Sequence, residues 1–152
     1  DQSEGIKDFF FNTGFVASGS SLLPVMKNSI SYNLSRRFFL LNPKKLFSTI
    51  KVETKTIDNF VKENQIKMID VLKLDTEGSE LNILNGAKNT LDNTKIVYTE
   101  ILSEKNNFKK KLDQINQIMF NKNFELIYDK KIFLTSFLTN LAAHDLIYVK
   151  KK

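Results

Sequence analysis

The chain has 152 residues, of which 41% are hydrophobic and 26% are charged, a composition typical of a globular domain and not of a disordered one. It contains no cysteine, which excludes disulfides, zinc–thiolate sites and cysteine nucleophiles, and no apolar run approaches the ~20 residues of a transmembrane helix. The net charge of +6 suggests a polyanion partner, but only Arg36 and Arg37 carry the guanidinium fork that phosphate recognition favours. We therefore predict solvated lysines and no nucleic-acid partner, with a basic polyanion-binding surface as the alternative.

In chain order, the first half predicts two strands separated by a loop. The aromatic run 8–11 indicates a strand and 12–14 (NTG) a turn. Residues 17–27 are rich in Ser and Gly and suggest a loop over the sheet or the site. In residues 48–54 β-branched side chains recur in alternation, which predicts the second strand. A helix should then start near Thr56.

The second half alternates between strands and helices. Residues 68–74 (MIDVLKL) are so apolar that we expect a parallel strand covered on both faces. A helix, a strand, a helix and two closing strands are then predicted at residues 81–91, 95–102, 105–121, 124–128 and 145–149. This order indicates an α/β fold with a mostly parallel sheet, ligand binding at the carboxyl ends of its strands, and one antiparallel strand near the C-terminus.

Acidic residues cluster where the apolar strand ends, in residues 73–80 (KLDTEGSE). If the extended geometry continues, Asp75 and Glu77 point the same way, and their like charges should raise the pKa of at least one, as a general base requires. Gly78 allows a sharp turn. Glu100, near the end of the next strand, should face the same crevice.

Other interpretations of these residues remain open. Glu77, Ser79 and Glu80 could simply cap a helix N-terminus. His144 is the only histidine of the chain and could be structural or part of the site. The carboxylates could offer hard oxygen ligands to Mg²⁺, but they lack a dedicated ligand spacing, so we predict no metal site.

Several segments together resemble the FkbM family of methyltransferases. The family pattern is a "TLDdf" segment, an "iDlLKiDvEGaE" strand and turn, a "vLkGa" helix and a later strand that ends in Glu. The matching segments are residues 52–60 (VETKTIDNF), 69–80 (IDVLKLDTEGSE), 84–87 (LNGA) and 98–100 (YTE). Residues 3–5, 9–11 and 20–23 resemble the preceding hairpin region of the family, and 144–149 (HDLIYV) its closing strand.

The resemblance implies a class I, Rossmann-like methyltransferase that uses S-adenosylmethionine to methylate hydroxyls of sugars or secondary metabolites. It places Asp75 nearest the transferred methyl, as a base or an orienting acceptor, with Glu77 and Glu100 as secondary acceptors. Leu74 and Asp75 would contact the cofactor. Three further residues, Ser20, Ser21 and His144, would contact the substrate.

The sequence departs from the family pattern at its front, since the Gly-rich cofactor loop and the ribose-binding acidic residue are missing. We therefore expect residues 1–152 to be one unit, the C-terminal part of a methyltransferase domain, which binds the cofactor weakly or not at all and is inactive alone. The alternative is a non-catalytic or incomplete Rossmann-like module that binds a partner. The absence of cysteine favours a cytoplasmic location.

Overall fold

The computed structural model describes residues 1–12, 47–132 and 141–151, which form two sheets. The first sheet pairs β1 (Gly5–Asn12) with β2 (Phe47–Thr54). The remaining strands are β3 (Ile69–Leu74), β4 (Thr94–Glu104), β5 (Phe124–Lys131) and β6 (Leu141–Lys150). The helices are α1 (Ile57–Glu63), α2 (Glu80–Asn85) and α3 (Lys105–Asn121), with a 3₁₀-helix at Thr90–Asn93. Within the described ranges, no helix has the length and apolar character needed to cross a membrane.

The second sheet has the order β3-β4-β6-β5. Its first two strands are parallel, and β6 is antiparallel to both β4 and β5. Three of these four strands therefore run in one direction. This confirms the predicted α/β fold with an antiparallel strand near the C-terminus, but the sheet is mixed: β3 and β4 pair in parallel, whereas β6 pairs antiparallel with β4 and with β5.

The hydrophobic core lies between this sheet and the two helices α2 and α3. On α3, the buried residues Phe108, Ile115 and Met119 repeat at helical spacing, as the sequence predicts. They meet Ile101 of β4 and Tyr148 of β6, both without exposed surface. The helices thus cover one face of the sheet, and on the other face the side chains of Tyr98, Glu100 and Asp145 are partly exposed.

The strand β3 differs from the prediction, because it is not covered on both faces. It forms an edge of the four-stranded sheet, and only Leu74 on it is buried. Val71 is 56% exposed, and Met68 just before the strand is 60% exposed. Leu72 and Leu74 point towards the helices, whereas no described residue buries Val71 on the opposite face.

The strand β2 also has a different partner from the one its place in the alternation suggests. It pairs antiparallel with β1, from Gly5 opposite Thr54 onwards, in a sheet of its own. Alternating β-branched residues indicate a strand but do not specify its neighbour. The next element was predicted correctly: the Thr56 side chain caps α1 by accepting from the Asn59 N–H at 3.1 Å.

Candidate active site

The acidic turn follows directly on β3. Leu74 ends the strand with its side chain in the core, and Asp75 next to it keeps 47% of its side chain exposed. Glu77 and Gly78 then adopt positive φ angles of 52° and 106°. The extended geometry therefore stops before Glu77, and the alternation that would point Asp75 and Glu77 the same way does not hold. The turn at Gly78 is as predicted.

Glu80 holds this turn from inside the protein. Its side chain has no exposed surface. One carboxylate oxygen, Oε1, accepts from the Thr76 hydroxyl at 3.0 Å and from the Gly78 N–H at 2.8 Å. Glu80 therefore satisfies a backbone N–H, as a cap would, but the N–H belongs to Gly78 in the turn before the helix. Ser79 occupies the N-cap of α2, but its side chain makes no capping hydrogen bond.

Lys111 on α3 completes this arrangement. Its ammonium donates to Glu80 Oε2 at 2.8 Å, to the Gly78 carbonyl at 2.6 Å and to the Leu102 carbonyl at 2.9 Å. The sequence analysis missed it by treating all lysines as solvated, which is correct for its neighbours Lys109 and Lys110.

A signal for Lys111 was present in the sequence. The residue stands three positions after Phe108 and four before Ile115, and both of these are buried on the inner stripe of α3. Residues at such spacings share one face of a helix. The lysine therefore had to reach into the protein, and its side chain is only 13% exposed.

A second group of polar side chains lies on the face of the sheet away from the helices. Lys73 of β3 is opposite Tyr98 of β4, so Asp75 comes next to Glu100, and Glu100 is in turn opposite Asp145 of β6. The Lys73 ammonium lies 3.2 Å from the Asp75 carboxylate. The Tyr98 hydroxyl donates to Asp145 at 3.1 Å. Asp145 escaped the sequence analysis, because only the register of β6 brings it to the site.

The charges of this group act most clearly on Glu100. Burial raises the pKa of the Glu100 carboxyl, and the neighbouring carboxylates of Asp75 and Asp145 raise it further. The like-charge effect expected at the turn is therefore found on the next strand. The pKa of Tyr98 is raised by its hydrogen bond to Asp145 and by burial. A carboxylate with a raised pKa is a stronger base, so Glu100 is suited to accept a proton.

The remaining predicted residues lie elsewhere. His144 is opposite the buried Ile101, on the helix-covered face; its Nδ1 is 2.6 Å from Asp129, and its ring centre is 4.6 Å from that of Phe108. These contacts give it a structural role, and its contact with substrate stays a prediction. The two serines predicted to bind substrate, Ser20 and Ser21, lie outside the described residues.

No group of three or more histidine, aspartate and glutamate residues in the described part of the chain is arranged to hold a metal ion. What the site does offer is a set of carboxylates on adjacent strands. Their oxygens can accept hydrogen bonds from hydroxyl groups, and Glu100 can take up a proton. The site also carries negative charge, which favours a cationic ligand.

Comparison with known proteins identifies the family of the chain. The model of the methyltransferase FkbM domain matches residues 9–126. The 2-O-methyltransferase NoeI of Sinorhizobium fredii (strain NBRC 101917 / NGR234) is 37% identical over 51 residues, which are 34% of this chain and 21% of that protein. The chain thus aligns with about a fifth of that relative's length. No solved structure matches. Since the family model covers more than half of the sequence, the chain belongs to the FkbM family of methyltransferases.

Proposed function

We propose that this chain carries the catalytic carboxylates of an S-adenosylmethionine-dependent O-methyltransferase that acts on a hydroxyl of a sugar or secondary metabolite. The observation that carries the proposal is the family match over residues 9–126, which includes β3, its acidic turn and β4. The relative named as a 2-O-methyltransferase supports oxygen as the atom that is methylated. A class I, Rossmann-like arrangement of the complete domain is part of the same proposal.

The described residues fit the charge of the cofactor. S-adenosylmethionine supplies an electrophilic methyl group on a positively charged sulfur. Asp75, Glu77, Glu100 and Asp145 make this edge of the sheet negative, and their charges influence one another, since the other three all raise the pKa of Glu100. Leu74 would contribute through its backbone, because its side chain is buried in the core.

The same carboxylates would prepare the acceptor. Methyl transfer requires the hydroxyl oxygen to be aimed along the line of displacement and to lose its proton. Asp75, which is half exposed, would orient the hydroxyl or take its proton. Glu100 would be the second acceptor, and its raised pKa supports a role as the base. Glu77 would accept a further hydrogen bond from the substrate.

A domain larger than this chain is also proposed. Residues 1–152 would form one unit, the C-terminal part of the methyltransferase domain. The exposed face of β3 opposite the helices supports this, because Val71 is 56% exposed on a strand whose composition is typical of a covered one. Calorimetry with S-adenosylmethionine on residues 1–152 and on an N-terminally extended chain tests it. Binding that improves only with the extension is the expected result, and equal binding by both would contradict the proposal.

The catalytic assignment is tested with Asp75→Asn in the intact protein. Transfer of a labelled methyl group to a panel of sugars should fall by about 100-fold or more, because a general base or orienting group contributes at least that much. The melting temperature should barely change, since Asp75 is exposed. The matched control is Asp70→Asn on the same strand, whose side chain is 78% exposed and pairs with Lys95 at the surface.

The outcomes separate the competing functions. If Asp75→Asn keeps its turnover, the role given to Asp75 is wrong. If the unmodified protein transfers no methyl group and binds no S-adenosylmethionine, the chain is a non-catalytic member of its family. If both substitutions reduce turnover equally, the loss reflects a general change of surface charge and not a catalytic contact.

A further inference from the structure

We propose that the buried ion pair between Glu80 and Lys111 is a positioning device that fixes the turn after β3 and thereby the carboxylates that it carries. The inference rests on the proposed methyl transfer for its catalytic part, but its structural part can be tested without any substrate. In this view Lys111 is a positioning residue. It acts on the reaction through the turn and does not contact the reacting atoms.

The hydrogen bonds of the pair converge on one peptide segment. Glu80 accepts the N–H of Gly78 at 2.8 Å, and Lys111 donates to the carbonyl of the same residue at 2.6 Å. Both backbone groups of Gly78 are therefore held by the two members of one ion pair. Glu80 also holds the Thr76 hydroxyl at 3.0 Å, so the turn is fixed at two points.

The same ammonium reaches the neighbouring strand. Lys111 donates to the Leu102 carbonyl of β4 at 2.9 Å. Two positions earlier on β4 is Glu100, the carboxylate with the raised pKa. One lysine side chain thus joins the turn that follows Asp75 to the strand that carries Glu100, in addition to the pairing of β3 with β4.

The backbone of the turn needs such support. A positive φ at Glu77 is unfavourable for a residue with a side chain, by about 1–2 kcal/mol, and it is followed directly by the positive φ of Gly78. Buried pairs often stabilise a protein no better than apolar residues of similar size would. The pair between Glu80 and Lys111 is therefore better explained by the conformation that it imposes than by stability alone.

The test compares three variants with the unmodified protein. The double variant Glu80→Leu with Lys111→Met replaces the ion pair by apolar side chains, and we expect it to fold because the core keeps its volume. Lys111→Arg keeps the charge. The control is Lys110→Met, which removes the adjacent lysine of the same helix, an exposed one.

The first measurement is amide hydrogen exchange of Gly78, which needs neither cofactor nor substrate. In the double variant the protection of this amide should fall by about tenfold or more, while the amides of the inner stripe of α3 keep theirs. Lys110→Met should leave Gly78 unchanged. If the protection of Gly78 is unchanged in the double variant, or falls equally in the control, the ion pair of Glu80 and Lys111 does not hold the turn and the proposal is overturned.

The second measurement is the separation of kcat from KM in the intact protein. In the double variant kcat should fall by about 100-fold with little change in the KM for S-adenosylmethionine, because a small misplacement of a reacting group has this effect. Lys111→Arg, which keeps the charge, should lose less kcat than the double variant. If the Gly78 amide loses its protection in the double variant but kcat is unchanged, the positioning role is overturned and the ion pair has a structural role alone. If the unmodified protein transfers no methyl group, the proposed function is overturned and the positioning role with it. The hydrogen-exchange result still decides whether the ion pair holds the turn.

Discussion

Replacing Glu100 by Gln should make the protein more stable and less active. Glu100 is half buried on β4, directly opposite Asp145 of β6 and next to Asp75. Burial and these two carboxylates raise its pKa, so the folded protein is destabilised when Glu100 ionises. Gln has the same shape without the charge. The substitution therefore removes an electrostatic repulsion that the proposed base function requires.

The size of the effect follows from the register. Like charges placed directly opposite on neighbouring strands destabilise a sheet by roughly 0.2–1 kcal/mol, and solvent reduces the repulsion for a group that is only half buried. Two such neighbours suggest a gain of about 1 kcal/mol at pH 7, which raises the melting temperature of a domain of this size by about 2–4 °C.

The sign of the pH dependence can be stated as well. Because the folded-state pKa of Glu100 is above the ordinary value of 4.5, the folded state binds more protons than the unfolded state as the pH rises past 4.5. Stability is therefore lost as the pH rises from the ordinary pKa of a glutamate through the higher folded-state pKa of Glu100. The advantage of Glu100→Gln should be largest at pH 7 and should vanish below about pH 4, where the carboxyl is protonated in both states.

Thermal unfolding followed by circular dichroism at pH 7 and below pH 4 measures this difference. The matched control is Glu125→Gln on β5, an exposed carboxylate opposite Val149, which should leave the melting temperature nearly unchanged. High salt should reduce the gain at Glu100. The reasoning would be refuted by a gain that persists unchanged at acidic pH, or by a Glu100→Gln variant that is less stable than the unmodified protein at pH 7.

Two further substitutions test contacts that stabilise the fold. Asp58 accepts hydrogen bonds from the Thr90 N–H and the Thr90 hydroxyl, each at 2.7 Å. Burial by itself would raise the pKa of Asp58, but these bonds and the one from the Asn89 N–H keep it below its usual value. Asp58→Asn should therefore lose about 1–3 kcal/mol in urea unfolding at pH 7, a difference that shrinks as the pH falls through the folded-state pKa. The fully buried Tyr148 donates a hydrogen bond to Asn116 at 2.7 Å, so Tyr148→Phe should lose about 1 kcal/mol in the same assay. A variant with an unchanged urea midpoint would contradict the contact that it tests.

The sequence alone was sufficient for several features with a local signal, although the helix predicted at residues 81–91 ends at Asn85 and is followed by the 3₁₀-helix Thr90–Asn93. The helix predicted at residues 105–121 has the bounds Lys105–Asn121, because its apolar stripe repeats at helical spacing. The start of α1 after Thr56 follows from a cap within one turn of the chain. The turn at Gly78 follows from a residue that alone tolerates its φ of 106°. The family motif likewise lies in one continuous stretch around this turn.

Tertiary structure decided what depends on pairing between distant segments. Asp145 faces Glu100 only because β6 lies beside β4 in one particular register, and its hydrogen-bond partner Tyr98 is 47 residues away in the chain. Periodicity shows which face of a strand or helix is apolar, but it does not show which neighbour that face meets. For the same reason no partner for Lys111 could be predicted, because its charge is matched by Glu80 only once α3 packs against the turn.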